Sequence, residues 1–221
     1  DGWYAYAPGP WSEGALECYF WTLKPHDHAR VSGNSWITYL DGKNPDFPES
    51  ALRGDLATIR QKVAGMRKDE TTPDTRLADD PMKFNPATVG TLRQLMMAGL
   101  DPGRGAAPLH CRLRYFDPLR RRAGVPEDVA ALIDQMTDSQ VRVTLVNTNQ
   151  LVARRVVVQT GAYGEHQCTG VTVGNQVTAV DGTAFTVMLD PGAGAQLTIE
   201  TDRYVNQPTL VFPWDRWKIG K

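Results

Sequence analysis

The chain has 221 residues, with 24 Lys and Arg balanced by 25 Asp and Glu. This near-neutral charge gives no electrostatic argument for a nucleic-acid partner or for an acidic disordered tail. No apolar run approaches the roughly 20 residues that a membrane-spanning helix needs, and we therefore expect no membrane span.

The sequence opens on an aromatic-rich segment, DGWYAYAPGPWSEGALECYFW. Glycine and proline place its first residues in a loop, where binding residues often lie. Because sugar rings stack on aromatic side chains, four residues are candidates for binding a saccharide: Trp3, Tyr4, Tyr6 and Trp11. The alternative is packing against other helices or a partner chain, since aromatic residues are also enriched at interfaces. The first residue is Asp rather than Met, which favours a processed chain or part of a longer one.

The first hundred residues have the apolar period of amphipathic helices. We predict helices over residues 12–23 and 27–40, and the clearest one within ESALRGDLATIRQKVAGMRKD. Asn85 and Pro86 form a helix start signal, so a further helix is predicted within ATVGTLRQLMMAGL. Four apolar residues of that helix are expected to face inward: Val89, Leu92, Leu95 and Met96.

After residue 108 the period changes to two. LHCRLRYFD alternates, with Cys111, Leu113 and Tyr115 on one face and Arg112 and Arg114 on the other. Seven further short strands follow at intervals of about ten residues, a pattern typical of an antiparallel β-sandwich. They are QVRVTLVNT, VARRVVVQT, TGVTVG, QVTAVDG, AFTVML, AQLTIETDRY and TLVFPW. The run PEDVAALIDQM, which begins at Pro126, is predicted to form one short helix.

The change of period divides the chain into two predicted modules. DPGRGAAP lacks large apolar residues, so the boundary falls between a helical module, 1–105, and a β-sandwich module, 106–221. The fold class is therefore α+β, with helical hairpins preceding an antiparallel sandwich. Three or four helices make a thin core for so many aromatic residues. We expect them to pack on another protein chain or on further N-terminal helices.

This order of elements resembles a known group of proteins. The late helices ALRGDLATIRQKVAGM and NPATVGTLRQLMMAGL are followed by VTLVNTNQLVARRVVVQTGAYGEH and LDPGAGAQLTIE. The layout is similar to the C-terminal portion of carbohydrate-active proteins that pair an (α/α) toroid with a β-sandwich, as in several polysaccharide lyase and glycoside hydrolase families. The resemblance implies part or a subunit of an extracytoplasmic protein (periplasmic, secreted or at the cell surface) that acts on polysaccharide by elimination or hydrolysis. It assigns no catalytic residue.

The segment KPHDHARVSGNSW supplies the first catalytic candidates. His26 and His28 flank Asp27, and histidine serves as a general base or metal ligand near neutral pH. A lyase also needs a cation to neutralise a uronate carboxylate, a role that Arg30 could take. The alternative is a solvated loop in which Asp27 caps a helix.

The segment QTGAYGEHQC supplies the second set of catalytic candidates. Tyr163, Glu165 and His166 lie in a glycine-flanked turn between predicted strands. Tyr163 and His166 are a plausible acid and base pair if this turn faces the helical module. The alternative, which we favour at this stage, is a surface hairpin.

The remaining polar and thiol residues suggest no cofactor. The connection KDETTPDTRLADDPMKFNP is acidic enough for calcium or for a hydrolytic carboxylate pair, but a solvated or partner-covering loop is favoured because the EF-hand spacing is absent. The three cysteines lack the spacing of a zinc site and could form one disulfide plus a free thiol, or three buried thiols. The arginines of RLRYFDPLRRRAG could bind an anionic polysaccharide, form a solvated stripe or pair with the acidic connection.

The alternative to a carbohydrate-active function is a non-catalytic role. GxSxG, P-loop, GxGxxG and HExxH motifs are absent from the sequence. The chain could therefore be a structural or assembly subunit of a surface layer, a filament or a hetero-oligomer.

Overall fold

A computed structural model describes residues 12–72, 85–100 and 108–218. Within these ranges the chain forms five α-helices and nine β-strands. The helices are α1 (Ser12–Thr22), α2 (Pro25–His28), α3 (Ser35–Leu40), α4 (Phe47–Lys68) and α5 (Gly90–Met97). The strands are β1 (Leu113–Asp117), β2 (Arg122–Ala123), β3 (Val129–Met136), β4 (Gln140–Asn147), β5 (Arg154–Thr160), β6 (Gln167–Val173), β7 (Gln176–Gly182), β8 (Ala184–Leu189) and β9 (Gly194–Asp202).

The strands form two antiparallel sheets. One has the order β2-β1-β5-β8 and the other β3-β4-β9-β6-β7. In the larger sheet Val141 pairs with Ile199 and Val143 with Leu197, and all four side chains are buried. This is the expected result of a period-2 apolar pattern on strands that have one buried face.

Helices and sheets share one hydrophobic cluster. It contains Phe20 of α1, Trp36 of α3 and Leu95 of α5 together with buried residues of both sheets. Helices α3 and α5 contact β3. The α+β prediction, with N-terminal helices followed by antiparallel strands, is confirmed. The module boundary near residue 105 stays a prediction and falls within 101–107, outside the described residues.

The helices differ from the sequence predictions in detail. The segment 27–40 contains two short helices, α2 and α3, and Asn34 caps α3 by accepting the Ile37 N–H at 3.0 Å. The last helix begins at Gly90 because the Asn85 side chain accepts the Ala87 N–H at 2.9 Å and forms a local turn instead of a cap. Val89 and Leu92 are exposed, so the prediction that both face inward is wrong, whereas Leu95 is buried as predicted.

Two strand-region predictions are wrong. PEDVAALIDQM forms β3 rather than a helix, and Val129, Ala131 and Ile133 alternate inward along it. Pairing along the whole of β4 decides this outcome, since long-range sheet partners override local helix preference. TLVFPW is not a strand: it is irregular up to Phe212 and then enters a 3₁₀ helix, Pro213–Lys218.

Helix α4 is amphipathic as predicted, but it buries none of its residues. Leu56 is 50% exposed, and Met66 is similarly uncovered. Among the described residues, no helix is long and apolar enough to cross a membrane.

All three cysteines are free thiols. Cys111 and Cys168 are buried, whereas Cys18 is exposed on α1. Both sequence alternatives, a disulfide or three buried thiols, are therefore wrong. Burial raises the pKa of Cys168 to about 11 and that of Cys111 still further, so these two thiols stay protonated.

Candidate functional site

A cleft lies where helices α1 and α5 meet the ends of the strands. Its volume is about 780 Å³. The remaining walls come from residues 108–110, from the loop between β5 and β6, and from the segment after β9. The residues that line it are Glu13, Leu16, Glu17, Trp21, Asn34, Gln94, Leu100, Pro108, Leu109, His110, Tyr163, Glu165, Tyr204 and Pro208.

Trp21 forms an aromatic wall of this cleft. Its ring lies 4.1 Å from that of His110 and stacks on Tyr204 at 5.5 Å. The indole nevertheless remains 49% exposed. Arg203 holds the backbone at Trp21, because its guanidinium donates to the carbonyl oxygens of Trp21 and Thr22 at 3.0 Å each. A cation at these last carbonyls also stabilises the C-terminus of α1.

His110 and Tyr204 form a hydrogen-bonded pair in the same wall. His110 Nε2 lies 3.1 Å from the Tyr204 hydroxyl, and one imidazole tautomer accepts this proton while the other donates. Burial, followed by the charges of Arg112 and Arg203, lowers the pKa of His110 to about 4. The imidazole is therefore neutral at physiological pH and can exchange a proton with a hydroxyl group.

The loop between β5 and β6 is built around Glu165. Its carboxylate accepts the N–H groups of Ala162 at 3.1 Å and Tyr163 at 2.7 Å. Gly161 has φ +80°, and a Cβ on it would lie only 2.4 Å from the Glu165 carboxyl carbon. The loop therefore needs glycine at this position. Glu165 holds the backbone here, which explains its burial without a catalytic role.

Tyr163 lines the cleft, whereas His166 is buried behind Tyr204, with the two ring centres 4.6 Å apart. The Tyr163 hydroxyl accepts the Leu109 N–H at 3.1 Å, whereas His166 Nδ1 accepts the Tyr204 N–H at 3.1 Å. Within the described part of the chain, no hydrogen bond joins Tyr163 to His166. Burial, followed by the charge of Arg112, lowers the pKa of His166 to about 3. The surface-hairpin alternative is wrong, because the loop joins strands of different sheets and His166 is only 1% exposed.

His26, His28 and Arg30 gather around acidic residues outside the cleft lining. The buried Asp27 lies 3.2 Å from His26 and 3.5 Å from Arg30, and it accepts the Thr22 hydroxyl at 2.6 Å. His28 is 3.0 Å from Asp41. These contacts join the end of α1 to α2 and α3. A catalytic role for the three residues stays a prediction.

The structure addresses the other residues predicted to bind a saccharide or a metal ion only in part. Trp3, Tyr4, Tyr6 and Trp11 lie outside the described residues, as do Asp74, Asp79 and Asp80 of the acidic connection. Across residues 12–72, 85–100 and 108–218, no group of three or more His, Cys, Asp or Glu side chains could hold a metal ion.

The surface arginines have partners outside the acidic connection. Arg120 pairs with Glu127, Arg121 with Asp215 and Arg122 with Asp117.

Sequence reasoning missed His110, Tyr204 and the cleft-facing role of Trp21. Trp21 was visible in the aromatic opening, but its neighbour Arg203 is 182 residues away. Tyr204 has a φ of +57°, which is unusual for a residue other than glycine. This conformation is known only from the structure, so it could not have identified Tyr204 in the sequence.

Residues 1–93 match the model of a domain of unknown function, DUF8034. No curated protein and no solved structure matches the chain. The matched segment contains Trp21 but ends before His110, Tyr163 and Tyr204. The cleft therefore combines residues of the matched segment with residues that follow it.

Proposed function

We propose that this chain binds a saccharide in the cleft beside Trp21 and Tyr204, as the C-terminal part or a subunit of an extracytoplasmic carbohydrate-active protein. The observation that carries the proposal is the half-exposed Trp21 indole, supported from behind by the His110 and Tyr204 rings. A sugar ring has an apolar face that a fixed aromatic ring can cover.

The cleft also has the polar groups that a sugar needs. Asn34, Gln94 and Tyr163 offer amide and hydroxyl groups, while Glu13 and Glu17 offer carboxylate oxygens. A mainly apolar cleft of several hundred Å³ with a few polar groups is the usual form of a small-ligand site.

Elimination and hydrolysis remain the proposed reaction classes. The His110 and Tyr204 pair supports elimination because it places a neutral imidazole beside a hydroxyl that can donate a proton to the leaving oxygen. The lowered pKa of about 4 makes His110 a weak base for taking a proton from carbon. Hydrolysis by two carboxylates has less support, because Glu165 is bound to two backbone N–H groups and Glu13 and Glu17 share one helix.

The proposal includes the finer architecture. Buried residues of both sheets belong to one cluster, which supports a β-sandwich. The uncovered apolar residues of α4 support a toroid-like array completed by another chain or by further N-terminal helices.

Calorimetry with neutral and acidic oligosaccharides tests the proposed function. The intact chain should bind at least one of them, and Trp21→Ala should weaken that binding about tenfold or more. Loss of an aromatic platform costs on the order of 1–3 kcal/mol per stacked nucleobase, and we take the lower end of that range for a sugar ring. Leu119→Ala is the control, because Leu119 is 87% exposed and lies outside the cleft lining. Failure of every sugar to bind, or equal binding by the Trp21 variant, would overturn the proposal.

The uncovered face of α4 favours a second candidate, a non-catalytic assembly subunit. Apolar faces of this kind are typical of protein interfaces. Light scattering of the intact chain distinguishes the candidates: an assembly that dissociates in Leu56→Glu, together with no sugar binding, favours the subunit. A monomer that binds sugar excludes it.

A further inference from the structure

Arg112 is a buried arginine without a counter-ion. The residue is 2% exposed, and its side chain donates one hydrogen bond, from Nη2 to the Thr201 hydroxyl at 3.3 Å. Nε and Nη1 are also buried, and among the described residues neither has a hydrogen-bond partner. No carboxylate within the described ranges forms an ion pair with this guanidinium.

The backbone holds Arg112 firmly in this position. Its N–H donates to the carbonyl oxygen of Met97 at 3.0 Å, and its own carbonyl accepts the Gly161 N–H at 2.8 Å. The guanidinium therefore lies between the end of α5, the Glu165 loop and the end of β9. Mobility of a surface side chain does not explain its unpaired nitrogens.

An unpaired charge at such a site lowers the stability of the folded chain. The effective penalty for burying an ion is several kcal/mol, and buried arginines are rarely left without a partner. Burial, followed by the charge of Arg203, lowers the pKa of Arg112 to about 10. The guanidinium therefore stays positively charged at neutral pH. Its charge and its two unpaired nitrogens would both be satisfied by an anion.

Two arginines, Arg112 and Arg203, place positive charge behind the Tyr204 wall of the cleft, whose own lining carries the carboxylates of Glu13, Glu17 and Glu165. Arg112 and Arg203 both act on His110 and His166 and lower their pKa values. The acidic groups that face Arg112 do not neutralise it. The Glu165 carboxylate is already bound to two backbone N–H groups, and Asp138 is exposed in the turn between β3 and β4.

We propose that Arg112 binds the anionic group of the cleft's ligand, so that the ligand is an acidic saccharide carrying a carboxylate or a sulfate. This inference rests on the proposed function. Arg112 acts electrostatically on His110 and Tyr204, two residues of the cleft lining, so its guanidinium lies close behind this wall of the cleft. In this proposal the acidic group reaches it when the side chains of the wall shift. The left-handed backbone of Tyr204 is a local strain of the kind found at binding sites.

The test compares a uronic-acid trisaccharide with a neutral trisaccharide of the same linkage, and adds sodium sulfate as a third probe. Wild-type protein should bind the acidic sugar about ten- to a hundredfold more tightly, which corresponds to one charged hydrogen-bonding contact. Arg112→Met should lose this preference while it keeps its affinity for the neutral sugar. Arg112→Lys should retain part of the preference.

The thermal stability of Arg112→Met shows whether the variant is folded. Replacing an unpaired buried charge by an apolar side chain of similar length should leave Tm unchanged or raise it. If the variant does not fold, the wild-type preference and the Arg112→Lys result still decide the question.

The possible failures are distinct. Equal binding of both sugars by the wild type overturns this inference and leaves the proposed function standing. Binding of neither sugar overturns the proposed function as well. Saturable binding of sulfate alone, lost in Arg112→Met and without preference among the sugars, identifies an inorganic anion site and overturns the saccharide assignment.

Discussion

Strands β4 and β9 and helix α4 each carry a regular apolar pattern, but they differ in what covers it. Val143 and Leu197 face each other across the strand pair and are fully buried. Leu56 belongs to an equally regular apolar stripe on α4, yet this side chain is 50% exposed. An apolar period therefore predicts which element forms, whereas its burial depends on whether the chain supplies a partner.

The largest expected contrast lies between these two regions. Ile199→Ala should lower the free energy of unfolding by about 3 kcal/mol, because it leaves a cavity in the core. Leu56→Ala should lower it by less than about 1 kcal/mol, since half of the side chain is already in water. Urea unfolding of both variants measures the difference. Equal losses would show that α4 is covered as well as the strands are.

Two glycines provide a sharper comparison. Gly161→Ala forces φ +80° on a residue with a Cβ and pushes that Cβ against Glu165. We expect it to destabilise the protein by about 2 kcal/mol and to weaken any sugar binding in the cleft. Gly54→Ala, within α4 and with nothing within 4 Å of the new Cβ, should stabilise by about 0.5–1 kcal/mol. The same direction of change in both variants would contradict the described geometry.

Acid should destabilise the strand region through His166. Its pKa is about 3 in the folded chain and about 6.5 when unfolded, so its neutral form contributes fully above pH 6.5. As the pH falls from 6.5 toward 3, the unfolded chain takes up a proton that the folded chain excludes. Stability then falls by up to about 1.4 kcal/mol per pH unit.

His166→Gln tests this dependence, because it removes the titrating group while it can still accept the Tyr204 N–H. Its free energy of unfolding, measured by urea from pH 7.5 to pH 4.5, should fall less steeply than that of the wild type. Parallel slopes for the two proteins would contradict a buried neutral His166.

The sequence predicts local elements better than it predicts the cleft. The helices α1 and α4 and most strands follow from their apolar periods. PEDVAALIDQM was assigned to a helix because its residues favour one locally, whereas its pairing with β4 is a long-range property. Contact between Trp21 and Tyr204 depends on how the end of α1 meets the end of β9, and no spacing in the sequence encodes that approach.

Buried charge was equally hard to predict. Arg112 and Arg114 occupy the same face of an alternating strand in the sequence. Arg114 is half-buried and donates to the Ala162 carbonyl at 2.9 Å, whereas Arg112 is enclosed and left without an ion partner. The difference comes from α5 and β9, which cover only one of the two positions.

The most direct test of saccharide binding is an NMR titration of the intact chain with the acidic trisaccharide. Our account predicts shifts of the Trp21 indole, His110 and Tyr204 signals, with Leu56 on α4 unchanged. Shifts confined to α4, or no shift at the cleft at saturating sugar, would contradict it.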